Sequence, residues 1–251
     1  MKLLIIECGT SKLPGAISAE VAKLKPKPES VSTMNITLER FNVPEFKNML
    51  FHLSPDIIIL DPPTTIEDDW SDLKWTALIK EVVRHNEMMS GRLVFVSSVA
   101  VLGDAQLRTE ACTVMPSHAW ATMLHAAEML IEATTSRHYI MRFPDTMEDP
   151  GMRTRAQGTF IVGANESFTL IGLQDMAAAI VEKMQTGWFG KYHVTPNDYI
   201  TLSDLVEFDW DKTKQVPNYS LMSKYDWKVA KSRAVWDRLV TEVKTCEASK
   251  T

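Results

Sequence analysis

Cysteine is scarce in this chain: its 251 residues hold three, Cys8, Cys112 and Cys246. Their spacing suits neither a zinc ligand set nor a paired disulfide framework, so a reducing cytoplasm is the expected setting. Long apolar runs are missing as well. No window approaches the roughly 18 consecutive apolar residues of a membrane span, and Leu3–Ile6 is too short a run for a signal peptide. Charge of one sign does not accumulate, since 27 Lys and Arg stand against 32 Asp and Glu for a formal net charge of −5. That balance gives no basic footprint for nucleic acid or an anionic membrane surface, and neither is expected as a partner. Repeats and low-complexity tracts are absent, and no Tyr occurs before Tyr139.

What remains is an ordinary globular composition, 45% hydrophobic and 24% charged, in a length that suits one domain or one domain with a small appendage. Fourteen methionines fit an adaptable core and imply no chemistry of their own.

Four short apolar runs punctuate the first part of the chain: Leu3–Ile6, Ile57–Leu60, Leu93–Val96 and Tyr139–Met141. Continuous runs of this length suit strands buried on both faces of a parallel sheet. Helices are expected between them. Ala16–Leu24 follows the first run, Trp75, Leu78, Ile79, Val82 and Val83 mark one apolar face, and Ala119–Ala133 is rich in strong helix formers. A strand over Val31–Ile36 is the weakest member of the series. The order predicts an α/β fold, a Rossmann-like doubly wound parallel sheet with its ligand at the carboxyl ends of the strands. Residues 1–145 are expected to form that nucleotide-binding core. Residues 146–251 are expected to form a small α/β cap packed on it, with strands at Thr159–Val162 and Tyr192–Val194 and helices at Asp175–Gln185 and roughly Met222–Val243.

The first run leads into Gly9-Thr10-Ser11-Lys12-Leu13-Pro14-Gly15. A dinucleotide site needs a tight turn, bare backbone beside the pyrophosphate, and a helix N-terminus whose free N–H groups hold negative charge. Two glycines six residues apart meet part of that need. They serve equally well as turn residues with no ligand.

Further motifs follow in series. Pro55–Asp61 and Leu93–Asp104 are strand–turn segments, the latter with Ser97 and Ser98 at its strand end. Tyr139–Pro144 contains Arg142, Phe168–Ala177 reads as strand, turn and helix, Gly190-Lys191-Tyr192-His193-Val194 is a late strand, and Thr201–Leu205 opens a helix. In this order, over about residues 1–206, the chain resembles the extended short-chain dehydrogenase/reductase family, the nucleotide-sugar epimerases and dTDP-4-dehydrorhamnose reductase in particular. Glu110 and Pro116 fall as that family's acidic and proline landmarks do. Lys12 stands where the family's middle glycine is found, and Asp61 where Asn is common. The resemblance implies an NAD(P) site contacted by Gly9, Thr10, Lys12, Leu13, Gly15, Asp61 and Ser97. It also implies that Ser98 holds a substrate oxygen.

One departure governs the functional expectation. The family's catalytic helix carries Tyr-x-x-x-Lys, because positions i and i+4 share a helical face and the ammonium lowers the pKa of the phenol beside it. With Pro116 before it and Glu128 after it, the register places Trp120 at the Tyr position and Leu124 at the Lys position. Neither side chain can move a proton, and loss of a general acid–base group lowers rates by roughly 10²–10⁴. Ser98 and His118 are the candidate catalytic residues that remain. His118 more often packs or faces solvent in such a place. His125 points about 100° around the helix from Leu124, and Cys112 lies in the loop after the third apolar run. Asp61, Glu67, Asp68 and Asp69 read as an acidic run at a solvated helix start. Arg153 and Arg155 could hold a phosphate, or simply belong to an exposed loop.

Two functions are therefore carried forward. The first is a ligand- or partner-binding regulatory module that keeps the fold and has lost the redox chemistry. The resemblance offers a precedent in the regulatory subunit of methionine adenosyltransferase. The second is an NAD(P)-dependent reductase or epimerase of nucleotide sugars or related carbonyl compounds, or a non-redox enzyme, acting through substitute residues. Lys12 crowds the phosphate turn and Leu124 removes the ribose grip, so NAD(P) binding is expected to be weak or lost. Residual affinity for a simple phosphate or mononucleotide is expected. The apolar stripe Met123, Ala126, Ala127 and Leu130 suits either a homodimer interface or packing within the chain.

Overall fold

The computed structural model describes residues 1–9, 11–37, 40–63, 72–103, 107–146, 167–187, 189–201, 220–221 and 227–248. The apolar runs become strands of one sheet: β1 (Lys2–Glu7), β2 (Ser30–Asn35), β3 (Ile57–Asp61), β4 (Arg92–Ser98), β5 (His138–Phe143) and β6 (Gly190–His193). All neighbours run parallel, in the order β6-β5-β4-β3-β1-β2. The helices are α1 (Leu13–Val21), α2 (Val43–Leu53), α3 (Asp72–Met88), α4 (Ala119–Thr134), α5 (Leu173–Gln185) and α6 (Ser232–Ala248).

Period-2 alternation divides the core. Leu3, Ile5, Ile57, Ile59, Val94 and Tyr139 face α1 and α5, joining Ile17, Val21, Ala177 and Ile180. Leu4, Ile6, Ile58, Leu60, Phe95 and Ile140 face the other way, onto Trp75, Ile79, Val82, Leu124 and Ile131 of α3 and α4. Both faces are covered, which is why these strands are apolar throughout. The polar strand β2 is the exception. Its Ser-Val-Ser-Thr-Met-Asn sequence is largely solvent-facing and lies at the sheet edge, where polar residues discourage pairing with another chain. The doubly wound parallel sheet expected from the sequence is the one observed, with β1 in its interior and Trp120 inside α4.

Several boundaries differ from expectation. Helix α1 begins at Leu13, three residues early, because Pro14 presets its first turn and the Ser11 hydroxyl accepts from the Leu13 N–H at 3.0 Å. It ends at Val21, before Leu24. The last helix begins at Ser232, well after Met222, since the Asp198 carboxylate accepts from both the Ser232 N–H and its hydroxyl. The late strand is Gly190–His193 and pairs with β5, so the region past residue 145 supplies the sixth strand of the main sheet. The expected strand at 159–162 lies outside the described residues. Of the helix opening expected at 201–205 only Thr201 is described, and it pairs with Ser167 in a two-residue strand instead. No helix among the described residues is long and apolar enough to cross a membrane.

The winding direction reverses between β1 and β3, since β2 lies on one side of β1 and every later strand on the other. At such a switch point the connections leave in opposite directions, and a crevice opens beyond the carboxyl ends of the strands.

Candidate ligand cleft

A cleft of about 490 Å³ occupies that crevice. It is lined by Lys12 and Leu13 from the start of α1, Asp61 from β3, Ser97 and Ser98 from β4, and His118, Trp120 and Leu124 from α4. Eight side chains singled out in the sequence thus meet at one place.

The β1–α1 turn is built from backbone and hydroxyl bonds. Asn35, ending β2, donates to the Gly9 carbonyl oxygen at 3.2 Å and to Glu7 at 3.3 Å. Lys12 occupies the N-cap position of α1 without a side-chain cap bond, and Ser11 supplies the cap in its place. A Cβ built on Gly15 meets no heavy atom within 4 Å, so packing among the described residues does not demand glycine there. Thr10 lies outside the described residues.

Asp61 overturns the reading of an acidic run at a solvated helix start. Its side chain is only 4% exposed, because position 61 is the last residue of a strand covered on both faces. Burial, with the nearby Glu7 carboxylate, raises its pKa from 3.8 to about 7 against the lowering effect of a hydrogen bond from Ser11. Its Oδ2 has no hydrogen-bond partner among the described residues. Burial, then Asp61 and Glu7, also pushes the neighbouring Cys8 thiol well up. Residues 67–69 lie outside the described residues.

Ser97 and Ser98 point to opposite faces of the sheet and have different duties. Ser97 donates to Glu128 Oε1 at 2.6 Å, so its proton is already engaged and it can only accept from a ligand. The same carboxylate forms a two-pronged pair with Arg142, at 2.9 Å from Nε and 2.6 Å from Nη2. Glu128 and Arg142 are 0% and 1% exposed. Ser98 lies on the cleft face, where its oxygen accepts from the Ala100 N–H at 3.1 Å and its proton stays available to a ligand. The β3–β4 register pairs Leu60 with Phe95. Continued one step, it sets Asp61 beside Val96, with Ser98 two residues further along the same face, about 7 Å away along the strand.

Helix α4 brings the degenerate pair into the cleft. Trp120 and Leu124, at i and i+4, both line it. The Trp120 indole donates to the Pro63 carbonyl oxygen at 2.7 Å. His118 stacks on that indole with ring planes 2° from parallel and centroids 6.0 Å apart. Its Nδ1 accepts from the Ala121 N–H at 3.3 Å, capping the helix. A neutral ring bonded this way carries its proton on Nε2, so it offers the cleft a donor and not a base. His125 does not line the cleft; its Nδ1 lies 3.9 Å from Glu128. Cys112 contacts Thr109 in the loop after β4. Arg153 and Arg155 lie outside the described residues. No group of three or more potential metal ligands occurs among the described residues.

Two features escaped the sequence reading: the burial of Asp61 and the Glu128–Arg142 pair. The second left a signal, since Ser97 and Arg142 are register partners on adjacent strands and Glu128 lies on the helix above that face.

No protein-family model matches the chain, and no curated protein matches it in sequence. Solved structures match it closely in fold. The dTDP-4-dehydrorhamnose reductase of Bacillus anthracis, in complex with NADP, aligns with a TM-score of 0.70 and 15% identity over 96% of this chain and 99% of that one. The Bordetella bronchiseptica enzyme WbmG, in complex with NAD and UDP, aligns at 0.71 and 10% identity over 96% of each chain. L-threonine 3-dehydrogenase of Trypanosoma brucei gives 0.73 and 12% identity over 97% of each. The fold is that of the extended short-chain dehydrogenases/reductases.

Proposed function

We propose that this chain uses the extended dehydrogenase fold as a binding or regulatory module, holding a nucleotide-like ligand in the cleft without hydride chemistry. The observation that carries this reading is the pair Trp120 and Leu124, which line the cleft at the i and i+4 positions of α4. A hydride moved to or from carbon needs a proton partner on the neighbouring oxygen. An indole whose N–H is committed to Pro63 and a leucine supply none. Occupation of the same fold by NADP in one relative and by NAD and UDP in another supports a nucleotide-type ligand. Among the residues of this chain, the start of α1 with Lys12 would hold a phosphate, and Asp61, Ser97 and Ser98 would meet hydroxyl groups. NAD(P) itself is expected to bind weakly.

The test is direct. The purified protein, given NADH or NADPH with common nucleotide sugars, should show no consumption of the reduced cofactor and no epimerised product. Turnover that survives Ser98→Ala and disappears in His118→Ala would overturn the reading and assign the proton transfer to His118.

A second reading has one observation in its favour. Asp61, with its pKa near 7, shares the cleft with the Ser98 hydroxyl, and such a carboxyl is suited to acid–base work on a carbonyl or hydroxyl group. Under that reading the chain is an NAD(P)-dependent nucleotide-sugar reductase or epimerase, or a non-redox enzyme, with substitute residues. A pH–rate profile that breaks near neutrality and flattens in Asp61→Asn would select it.

A regulatory module also needs something to regulate, either a protein partner or a second copy of the chain. Of the stripe on α4, Met123 and Ala127 are buried against α3 and the sheet, while Ala126 is exposed beside Met129. Sedimentation at high micromolar concentration decides whether that exposed remainder pairs two copies.

A further inference from the structure

Two polar groups on one bank of the cleft are left unsatisfied by the chain itself. The Asp61 carboxyl takes a hydrogen bond from the Ser11 hydroxyl, and its Oδ2 has no partner among the described residues. Ser98 accepts from the Ala100 N–H through its oxygen, and its proton has no acceptor among the described residues. One group therefore calls for a donor and the other for an acceptor. They end β3 and β4, about 7 Å apart along the strand direction, with Val96 between them. That is too far for a direct bond. One small group, bonded to both at about 2.9 Å each, fills such a gap.

The surroundings decide what kind of group. Leu13 of α1, Val96, Phe143 and Met176 of α5 belong to the core on this bank, and all four line the cleft. Trp120 and Leu124 form the opposite bank, and the indole N–H is committed to Pro63. A sugar ring carries hydroxyl groups around its rim, and those facing neither Asp61 nor Ser98 would lose water against apolar walls, at a cost in affinity. A flat heterocycle has its polar atoms on its edges and apolar surface above and below. An edge with an N–H beside a carbonyl meets both needs at once, since the N–H donates to Asp61 and the carbonyl accepts from Ser98. The cleft, at about 490 Å³, lies within the range of roughly 300–1,000 Å³ that takes ligands of this size.

We propose that the cleft holds the amide edge of a flat ring, as uracil and hypoxanthine present it, between Asp61 and Ser98. This assignment rests on the binding-module reading above and gives that reading a ligand class. At Asp61 and Ser98 it replaces the hydroxyl groups assigned there with the edge of a base. Burial holds the Asp61 pKa near 7, so above neutrality the carboxylate is an acceptor only and an N–H is the partner it requires.

Calorimetry at about pH 8 with uridine, inosine, 3-methyluridine and 1-methylinosine tests the proposal. None carries a phosphate, so the turn before α1 plays no part. Methylation removes the edge N–H and keeps the ring and its carbonyl groups. The wild type should bind uridine or inosine at least about tenfold more tightly than its methylated form, because a hydrogen bond to a charged group is lost. Preference for uridine identifies a one-ring ligand, and preference for inosine a two-ring one. Asp61→Ala should bind parent and methylated forms equally, since the group that reads the N–H is gone. Ser98→Ala should weaken the parent several-fold and keep the discrimination against methylation.

A carbon-detected magnetic resonance titration of the wild-type Asp61 carboxyl separates a hydrogen bond from simple crowding. Asp61 is already only 4% exposed, so the ligand adds little burial, and a donated N–H favours the charged form. Saturating ligand should therefore move the midpoint downward. No binding of either parent nucleoside, equal binding of parent and methylated forms by the wild type, discrimination that survives Asp61→Ala, or a midpoint that stays or rises overturns the proposal. Hydride transfer enters none of these measurements, so turnover could refute the binding-module reading while this pattern stood, and the pattern could fail with no turnover seen.

Discussion

The indole of Trp120 donates to the carbonyl oxygen of Pro63 at 2.7 Å, tying the start of α4 to the segment that leaves β3. A tyrosine in that place would project its hydroxyl into the cleft, whereas tryptophan turns its one polar atom onto the protein itself. Trp120→Phe removes the bond and leaves a carbonyl to solvent or to water in the cleft. A loss of about 1 kcal/mol in urea-unfolding stability is expected. A loss several times larger would mean that the indole also organises the segment beyond Pro63.

The Glu128–Arg142 pair gives a sharper prediction. Both groups are fully buried and two-pronged, so removing one partner strands a charge in the core. Glu128→Gln and Arg142→Met should each lower stability by roughly 3–5 kcal/mol, and the double variant should lose less than the sum. Additive losses in denaturant melts would show that the two residues act separately.

Asp61 makes stability fall with pH over a defined window. Its pKa is raised from 3.8 to about 7, chiefly by burial and further by Glu7, with Ser11 opposing. Between those values the folded chain holds a proton that the unfolded chain releases, so stability decreases as pH rises through the window and levels off above it. At about 1.4 kcal/mol per unit the full difference is on the order of 4 kcal/mol. Asp61→Asn should remove this slope and be the more stable protein at about pH 8. Parallel pH–stability curves for the two proteins would show that Asp61 ionises as freely in the folded chain as in the unfolded one.

Two glycines should respond oppositely to alanine. Gly103 has φ +59°, and a Cβ there would sit 2.0 Å from the Met115 carbonyl oxygen, so Gly103→Ala should destabilise by roughly 1–3 kcal/mol. Gly15 lies in the first turn of α1 with open space around its Cα. Gly15→Ala should raise the melting temperature slightly, as helix propensity gains up to about 1 kcal/mol. It should weaken any phosphate-bearing ligand that approaches this backbone. Unchanged ligand affinity in a stabilised Gly15→Ala would place the phosphate elsewhere.

Much of the fold was legible because burial on both faces leaves a plain mark on a strand. Leu3–Ile6 and Ile57–Leu60 could be little else, and the helical face of Trp75 to Val83 was periodic enough to stand without help. Boundaries were less legible where a distant group decides them. Ser232 starts α6 because Asp198 reaches it across the chain, and nothing local at Met222 forbade an earlier start. At the site, the i, i+4 placement of Trp120 and Leu124 was legible from register alone. The state of Asp61 was not, since its neighbours in sequence suggested solvent and only the sheet around it shows otherwise. The engagement of the Ser97 proton likewise depends on Glu128 of a separate helix.

The parentage of β6 bears on how this protein is made. During synthesis the ribosome releases β5, with its apolar Tyr139, Ile140 and Met141, well before Gly190–His193 exists to flank it. Helix α1 likewise waits for α5, the element packed most closely against it. For that interval the nascent chain carries a greasy, unpaired strand edge beside an uncovered face, the type of surface that draws chaperones and nucleates aggregates. A chain stopped after residue 145 would keep that surface permanently. Such a truncation should partition into inclusion bodies when expressed, however complete its phosphate turn.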